Sequence, residues 1–445
     1  MVQLSLFSFL ALLEVLALLL LLLGVLIWRL RMTQRQSRIQ FIDATDQHPT
    51  PTLYLDGEAA RTRTFVDGLR DDVQYYRGLY NVDRIEVLKG PNAMIFGRGG
   101  GGGVINRVLK RPLANRFVGG SISADQYGAW LIDADINQPF GEMVSARLNG
   151  VYEEFDSHRD FYAGRRVALN PTVALALGGA TRIDVGYEYN NDERVIDRGV
   201  PAERAGRIDD PARPLTGFRD TFFGTPGFNV SEFEAHALTG RIEHRFSDTL
   251  TATSRILYGD YEKLYQNAFA ATPVTLIGGV EKVGIEAYRD PTKRKNFFNQ
   301  NDIVWNVVTG AVRHTVLVGM EYGDQRTRNE RVNGFFDASG AVNGGRRMFV
   351  DLADRITIPS IALRTAAGSG YRSIRTQADV LAFYAQDQIS IGDHVDLIGG
   401  VRHDRFKLDI DDLVANRTFS RTDNLWSPRL GVVLKPTEPV SIGKP

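Results

Sequence analysis

From Arg116 onward, apolar and polar positions alternate along segments of roughly ten residues, each bounded by clusters of Gly, Pro, Asn and Asp. Between Trp130 and Asn137, one row holds Trp130, Ile132, Ala134 and Ile136, and the other, apart from Leu131, holds Asp133, Asp135 and Asn137. Ile183, Val185, Tyr187 and Tyr189 form a second apolar row, and Val316, Val318, Met320 and Tyr322 a third. A period of two sends successive side chains to opposite faces, so each segment predicts a strand with one apolar and one polar face. About a dozen such strands fit between Arg116 and Pro436.

Two architectures share this pattern. A soluble antiparallel sandwich buries the apolar row, whereas an outer-membrane barrel turns it toward lipid and keeps the polar row in its lumen. Aromatics near segment ends favour the barrel, because interfacial girdles are aromatic; they are Tyr187, Tyr189, Tyr258, Tyr261, Phe383, Tyr384 and Phe406. Long polar insertions at Asn190 to Ser231 and Asp324 to Ala378 contrast with short turns such as Gly392-Asp393. That asymmetry also suits a barrel.

Upstream, the pattern changes. Leu4 to Trp28 is apolar apart from Glu14, long enough to cross a bilayer as a helix, and is followed by Arg29, Arg31, Arg35 and Arg38. Residues 1–31 therefore read as an apolar transmembrane-like helix, and 32–63 as an irregular linker containing the breaker cluster His48-Pro49-Thr50-Pro51. Phe65-Val66 predicts a strand ending in an Asp67-Gly68 turn. Ile85, Val87 and Leu88 predict another, Lys89-Gly90-Pro91 turns the chain, and Val104-Ile105 resumes a strand after the glycines Gly99 to Gly103. Apolar strands on both sides argue for close backbone approach there and against a flexible linker.

Composition removes several chemistries. Lys and Arg number 53 against 53 Asp and Glu, which leaves no basic footprint for nucleic acid, and the absence of Cys removes disulfides and thiolates. Gly97, Gly99 and Gly102 fit a dinucleotide fingerprint only trivially, since the run between them is glycine. His158-Arg159-Asp160 lacks the rest of a kinase, Ser427 sits in Trp-Ser-Pro and not in a nucleophile elbow, and the His residues show no metal-binding spacing. No catalytic residue and no metal ligand is assigned.

The run from Val82 through Phe96-Gly97-Arg98 and the glycines to Asn106-Arg107 resembles the end of the plug domain of TonB-dependent siderophore receptors. Later blocks resemble the ferrichrome- and catecholate-type branch of that family: Lys110-Arg111-Pro112, Arg219 to Gly224, Glu243 to Asp248, Phe383 to Gln388 and Trp426 to Gly431. The resemblance implies an all-β membrane fold, with 64–112 as the C-terminal part of a plug and 113–445 as the N-terminal part of an antiparallel outer-membrane barrel. A dozen strands fall short of the roughly 22 of plugged transporters, so the barrel is expected to be incomplete and the chain truncated at both ends. The implied function is TonB-dependent uptake of ferric siderophores across the cell outer membrane, with iron carried only inside the chelate and no cofactor. The implied partners are the siderophore and the TonB energising complex, although no TonB-box-like segment is legible before the plug. The alternative is a structural or inactive remnant anchored by the N-terminal helix.

Implied site residues follow the same match. Phe96 and Arg98 fall at the plug apex and would contact the ligand; packing of Phe96 on the barrel wall and pairing of Arg98 with a lumen carboxylate is the rival reading. Tyr75, Tyr76 and Arg77 form a second candidate cluster. Arg84, Glu86 and Lys89 would lock the plug to the barrel.

Overall fold

The computed structural model describes residues 52–53, 63–71, 73–88, 97, 103–437 and 440–444. The Leu4 to Trp28 segment, most of the 32–63 linker, Lys89, Phe96, Arg98 and Gly99 to Gly102 lie outside them. Among the described residues every regular element is a strand, and no helix is long and apolar enough to cross a membrane.

Six short strands come first: Thr52–Leu53 (β1), Arg63–Val66 (β2), Leu69–Arg70 (β3), Arg77–Gly78 (β4), Val82–Leu88 (β5) and Val104–Leu109 (β6). β1 pairs with β4, and the others form one sheet in the order β3-β2-β6-β5. The predicted turn is present, with Asp67 at φ 49° and Gly68 at φ 88°, the paired positive φ of a two-residue hairpin loop. Its amides are tied to β6, because Asp67 N–H donates to the Arg107 carbonyl and Gly68 N–H to Asn106 Oδ1, each at 2.9 Å. Phe65 and Val104 are buried together, with Leu88 against them. The glycine run thus joins two antiparallel neighbours, β5 and β6, as the flanking apolar strands predict.

The wall begins with Phe117–Ala124 (β7), Trp130–Phe140 (β8), Val144–Asp156 (β9), Ala163–Leu177 (β10), Thr181–Arg194 (β11), Val230–Arg245 (β12) and Leu250–Ala270 (β13). It continues through Thr275–Ile277 (β14), Val280–Thr309 (β15), Val312–Phe336 (β16), Ala341–Val342 (β17), Arg347–Asp351 (β18), Ile361–Arg364 (β19), Arg372–Ile391 (β20), Val395–Asp412 (β21), Arg417–Thr437 (β22) and Val440–Lys444 (β23). β14, β17, β18 and β19 belong to the loops at one end. Residues 141–143, 178–180, 246–249, 310–311 and 392–394 make short turns at the other end, opposite the long connections 195–229 and 337–371.

Polarity across this wall is inverted relative to a soluble protein. Inward positions include Asn149, Glu153, Arg166, Asn170 and Asp192, all buried. Outward positions include Ile132, Ile303, Trp305, Val318, Phe383 and Leu430, all exposed. Only a lipid-embedded barrel makes both sides favourable, since exposed apolar rows meet hydrocarbon and buried polar rows find partners in the lumen.

Two expectations are corrected here. Strand order closes the sheet, with β23 between β22 and β7, where an open wall was expected. The terminal strand was missed because Val440 to Lys444 carries little amphipathic signal, yet a ladder needs only backbone groups. Closure is confined to one rim: β23 meets Val432 to Thr437, and among the described residues Arg417 to Gly431 pair only toward β21. The insertion expected from Asp324 to Ala378 is shorter, because β16 runs to Phe336 and β20 starts at Arg372. Charged Arg326, Arg328 and Glu330 point outward there while Gln325 is buried inside, so no apolar row marks that part of the strand.

Inward glycines make room for lumen rings. A Cβ at Gly319 would lie 2.3 Å from the Tyr384 ring, and one at Gly323 would lie 2.4 Å from the Phe298 ring. Each glycine sits directly across the ladder from the aromatic that covers it.

Candidate functional site

The plug meets the wall through a buried polar network centred on Asp71. One carboxylate oxygen accepts from Arg107 Nη2 at 2.7 Å, Tyr75 Oη at 3.1 Å and Arg77 Nε at 3.4 Å, and the other accepts from Tyr261 Oη of β13 at 3.5 Å. Arg107 Nη2 also donates to Tyr75 Oη at 3.1 Å. All five side chains are buried. A second contact joins plug to wall nearby, where Tyr80 Oη donates to Glu188 Oε1 at 3.2 Å. The Asp71 carboxylate is paired with Arg107 and Arg77, which is the condition for keeping a charge out of water. Burial pushes the Tyr75 and Tyr80 hydroxyls above their usual range, so both stay protonated and able to donate.

The passage from plug to barrel is fastened as well. Lys110 Nζ donates to the Tyr80 carbonyl at 2.8 Å and pairs with Asp135 of β8 at 3.1 Å. Arg147 of β9 and Arg182 of β11 donate to the carbonyls of Arg111 and Pro112 at 2.9 and 2.8 Å.

Above the network, on the side of the long loops, lies a cavity of about 360 Å³. Its floor is Gln74, Tyr75 and Tyr76 of the plug, and its walls include Phe233 of β12, Lys263 and Tyr265 of β13, Tyr288 and Asp290 of β15, Arg331 of β16 and Arg198 of the 195–229 loop. That volume falls in the range of small-molecule sites. Tyr75 stacks on Phe233 with ring centroids 4.1 Å apart and planes 8° from parallel, and Tyr265 stacks on Tyr288 at 6.0 Å. The Arg331 guanidinium lies 4.0 Å above the Tyr288 ring and pairs with Asp290. Lys263 Nζ is 5.9 Å from the Tyr265 centroid, and Arg198 is 4.1 Å from that of Phe269. Three cations and one carboxylate therefore line the cavity among the described residues. Such a surface suits a bulky ligand with aromatic faces and negative charge.

The residues expected at the site separate by place. Tyr75 and Tyr76 line the cavity, and the Arg194 guanidinium of β11 covers Tyr76 at 4.0 Å. Arg77 lies beneath them, buried against Asp71 and 4.2 Å from the Tyr75 ring centroid. Phe96, Arg98 and Lys89 fall outside the described residues. Gly97, between the first two, has φ 78°, and a Cβ there would lie 2.7 Å from Arg402 Nη2 of β21. Arg84 was expected to pair with the wall, but the ion pairs seen for it are to Asp83 at 3.2 Å and Glu86 at 2.8 Å, and its side chain is 58% exposed. Glu86 instead accepts from Asn106 Nδ2 of the neighbouring strand at 2.9 Å. Asp71, Arg107 and Glu188 were not singled out by the sequence, and Tyr261 and Tyr384, expected at an interfacial girdle, instead point into the lumen, where Tyr261 bonds Asp71 and Tyr384 bonds Gln300. Arg107 offered one signal, a cation in a short strand whose other residues, Asn106 apart, are apolar.

Comparison with known proteins decides the family. The model of the TonB dependent receptor-like β-barrel matches residues 168–443, and that of the TonB-dependent receptor plug domain matches residues 32–104. The chain belongs to the TonB-dependent receptor family. Among relatives, this TonB-dependent receptor is similar to the probable TonB-dependent receptor BfrD of Bordetella pertussis, 27% identical over 407 residues that cover 86% of the chain and 53% of BfrD. It is 26% identical to the catecholate siderophore receptor Fiu of Escherichia coli, with 82% and 48% covered. The crystal structure of the siderophore receptor PiuA from Acinetobacter baumannii superposes with a TM-score of 0.72 at 21% identity, over 85% of this chain and 56% of PiuA. The chain spans about half the length of the curated relatives it matches. Family and inverted wall together make it an outer-membrane β-barrel protein, from a family of receptors and transporters.

Proposed function

We propose that this TonB-dependent receptor binds an anionic ferric siderophore in the cavity above Tyr75 and Tyr76 and passes it inward past the plug. The observation that carries the reading is the cavity lining: stacked aromatics with a cationic surplus, placed between the plug and the long extracellular loops. Such a surface would grip the outer atoms of a chelate while the iron stays inside it. The buried Asp71–Arg107 pair inside the plug would be costly to disrupt, so passage would need work from an energising partner. The relatives' names add support, since Fiu is a catecholate siderophore receptor.

The test uses cells lacking their own siderophore receptors and expressing this chain. Radiolabelled ferric tris-catecholate should bind saturably to their outer membranes, and cell uptake should stop when the proton gradient is collapsed. Absence of saturable binding for tris-catecholate and for other anionic ferric chelates would refute the reading.

A further inference from the structure

We propose that Arg159, in the loop between β9 and β10, is a positioning residue for ligand charge: it holds the turn at Asp197 that aims Arg198 into the outer cavity. The proposal rests on the reading that this cavity takes an anionic chelate.

Of the cavity cations, Lys263 and Arg331 stand on strands, and Arg198 stands on the 195–229 loop. Its place therefore depends on how that loop is held. Asp197 Oδ1 accepts from the Gly199 N–H at 2.8 Å, with Gly199 at φ 77°, so residues 197–199 form a tight turn with Arg198 at its tip. Arg159 fixes that turn without lining the cavity. Its Nε and Nη2 donate to the two Asp197 carboxylate oxygens at 2.5 and 3.1 Å, and its Nη1 donates to the Arg219 carbonyl at 2.6 Å. The side chains of Arg159 and Asp197 are only 11% and 10% exposed. One guanidinium thus ties both arms of the loop, a task for which its planar fork of donors is suited. The next residue adds a backbone tie, since Asp160 N–H donates to the Asp220 carbonyl at 2.8 Å. His158-Arg159-Asp160, kinase-like only in its spelling, is a brace. Behind the turn, buried Asn229 donates to the carbonyls of Ile196 and Ala268, each at 2.9 Å, and the Arg198 guanidinium lies 4.1 Å from the ring centroid of the adjacent Phe269. The charge is set against β13 in advance, and a cation already ordered spares binding the cost of ordering it.

Positioning differs from mere loop building in what it shares with Arg198. Ferric tris-catecholate and a neutral ferric trihydroxamate are titrated against outer membranes carrying the wild type, Arg198→Met, Arg159→Met or the double variant, at equal amounts of folded receptor. Arg198→Met should weaken the anionic chelate about tenfold, as loss of a charge-assisted contact does. Arg159→Met should weaken it about fivefold and the neutral chelate less than about twofold, because the misplaced group is a charge. In the double variant, Arg159→Met should add less than about twofold to the effect of Arg198→Met, since both act through one side chain. Asp197→Asn keeps an acceptor for the Gly199 N–H and removes the charge that Arg159 grips. It should reproduce the selective loss and serves if Arg159→Met is poorly assembled. Losses that multiply in the double variant, equal weakening of both chelates by Arg159→Met and Asp197→Asn, or wild-type affinity of both for the anionic chelate would each overturn the positioning role while leaving the binding site standing. Should the neutral chelate not bind the wild type, the double variant alone decides. A wild type that binds neither chelate would remove the functional reading, and the positioning role with it.

Discussion

Tyr75 of the plug and Phe233 of the barrel wall stack face to face, with centroids 4.1 Å apart and planes within 8°. The pair joins two bodies that share no strand ladder, so its energy counts directly toward retention of the plug. Stacked aromatic pairs contribute about 0.5–1.5 kcal/mol beyond area burial. A double-mutant cycle with Tyr75→Leu and Phe233→Leu, read from the denaturant midpoint of plug release, should return a coupling in that range; a coupling near zero would contradict it.

Locking strength should concentrate at the buried pair and not at β5. Arg107→Met leaves Asp71 with Arg77 as its remaining arginine, 3.4 Å away, and should cost about 3–5 kcal/mol of plug stability, as removal of one partner of a buried ion pair does. Arg84→Ala should leave plug stability unchanged within error, because solvent screens its pairs with Asp83 and Glu86. Limited proteolysis of the plug across a urea series measures both.

The fold was legible where lipid or turn chemistry imposes a rule. Alternation around Trp130 and Val316 gave the wall, and Asp67-Gly68 gave the hairpin, because each pattern is local. The lock was hidden because Asp71, Arg107, Tyr261 and Glu188 are distant in sequence and meet only through the parallel pairing of β2 with β6 and the seating of the plug in the lumen. Tyr75 and Tyr76 were found as neighbours in sequence, which is also why Arg77 was grouped with them although it points into the lock. Closure at β23 left almost no trace in side chains, since its ladder is made by backbone alone.

Stability of the plug should depend on pH through Asp67. Burial raises its carboxyl above the ordinary 3.8, more than Arg111 at 3.7 Å and the Leu109 amide at 3.2 Å lower it. A raised folded value means that its contribution is fully present below 3.8 and is lost as pH rises through the folded value. Asp67→Asn suits the same turn and cannot ionise, so its plug should lose less stability than wild type between pH 3.5 and 7. Parallel pH profiles for the two proteins would exclude this role.

Gly323→Ala should loosen the barrel. Its Cβ would enter the Phe298 ring at 2.4 Å, and overfilled interiors lose about 1–3 kcal/mol. The temperature at which the folded band disappears in a heat-modifiability gel should fall, and an unchanged temperature would show that the ring can move aside.

The most direct test of the central claim is a titration of outer membranes with two ferric chelates of similar size, one an anionic tris-catecholate and one a neutral trihydroxamate. Lys263 faces the cavity from β13, so Lys263→Met should weaken the anionic chelate by about tenfold or more, as loss of a charge-assisted hydrogen bond of about 1.5–3 kcal/mol requires. The neutral chelate should change by less than about threefold, having no charge partner to lose. Equal affinity of wild type and Lys263→Met for the anionic chelate, or equal weakening of both chelates, would contradict recognition by charge in this cavity.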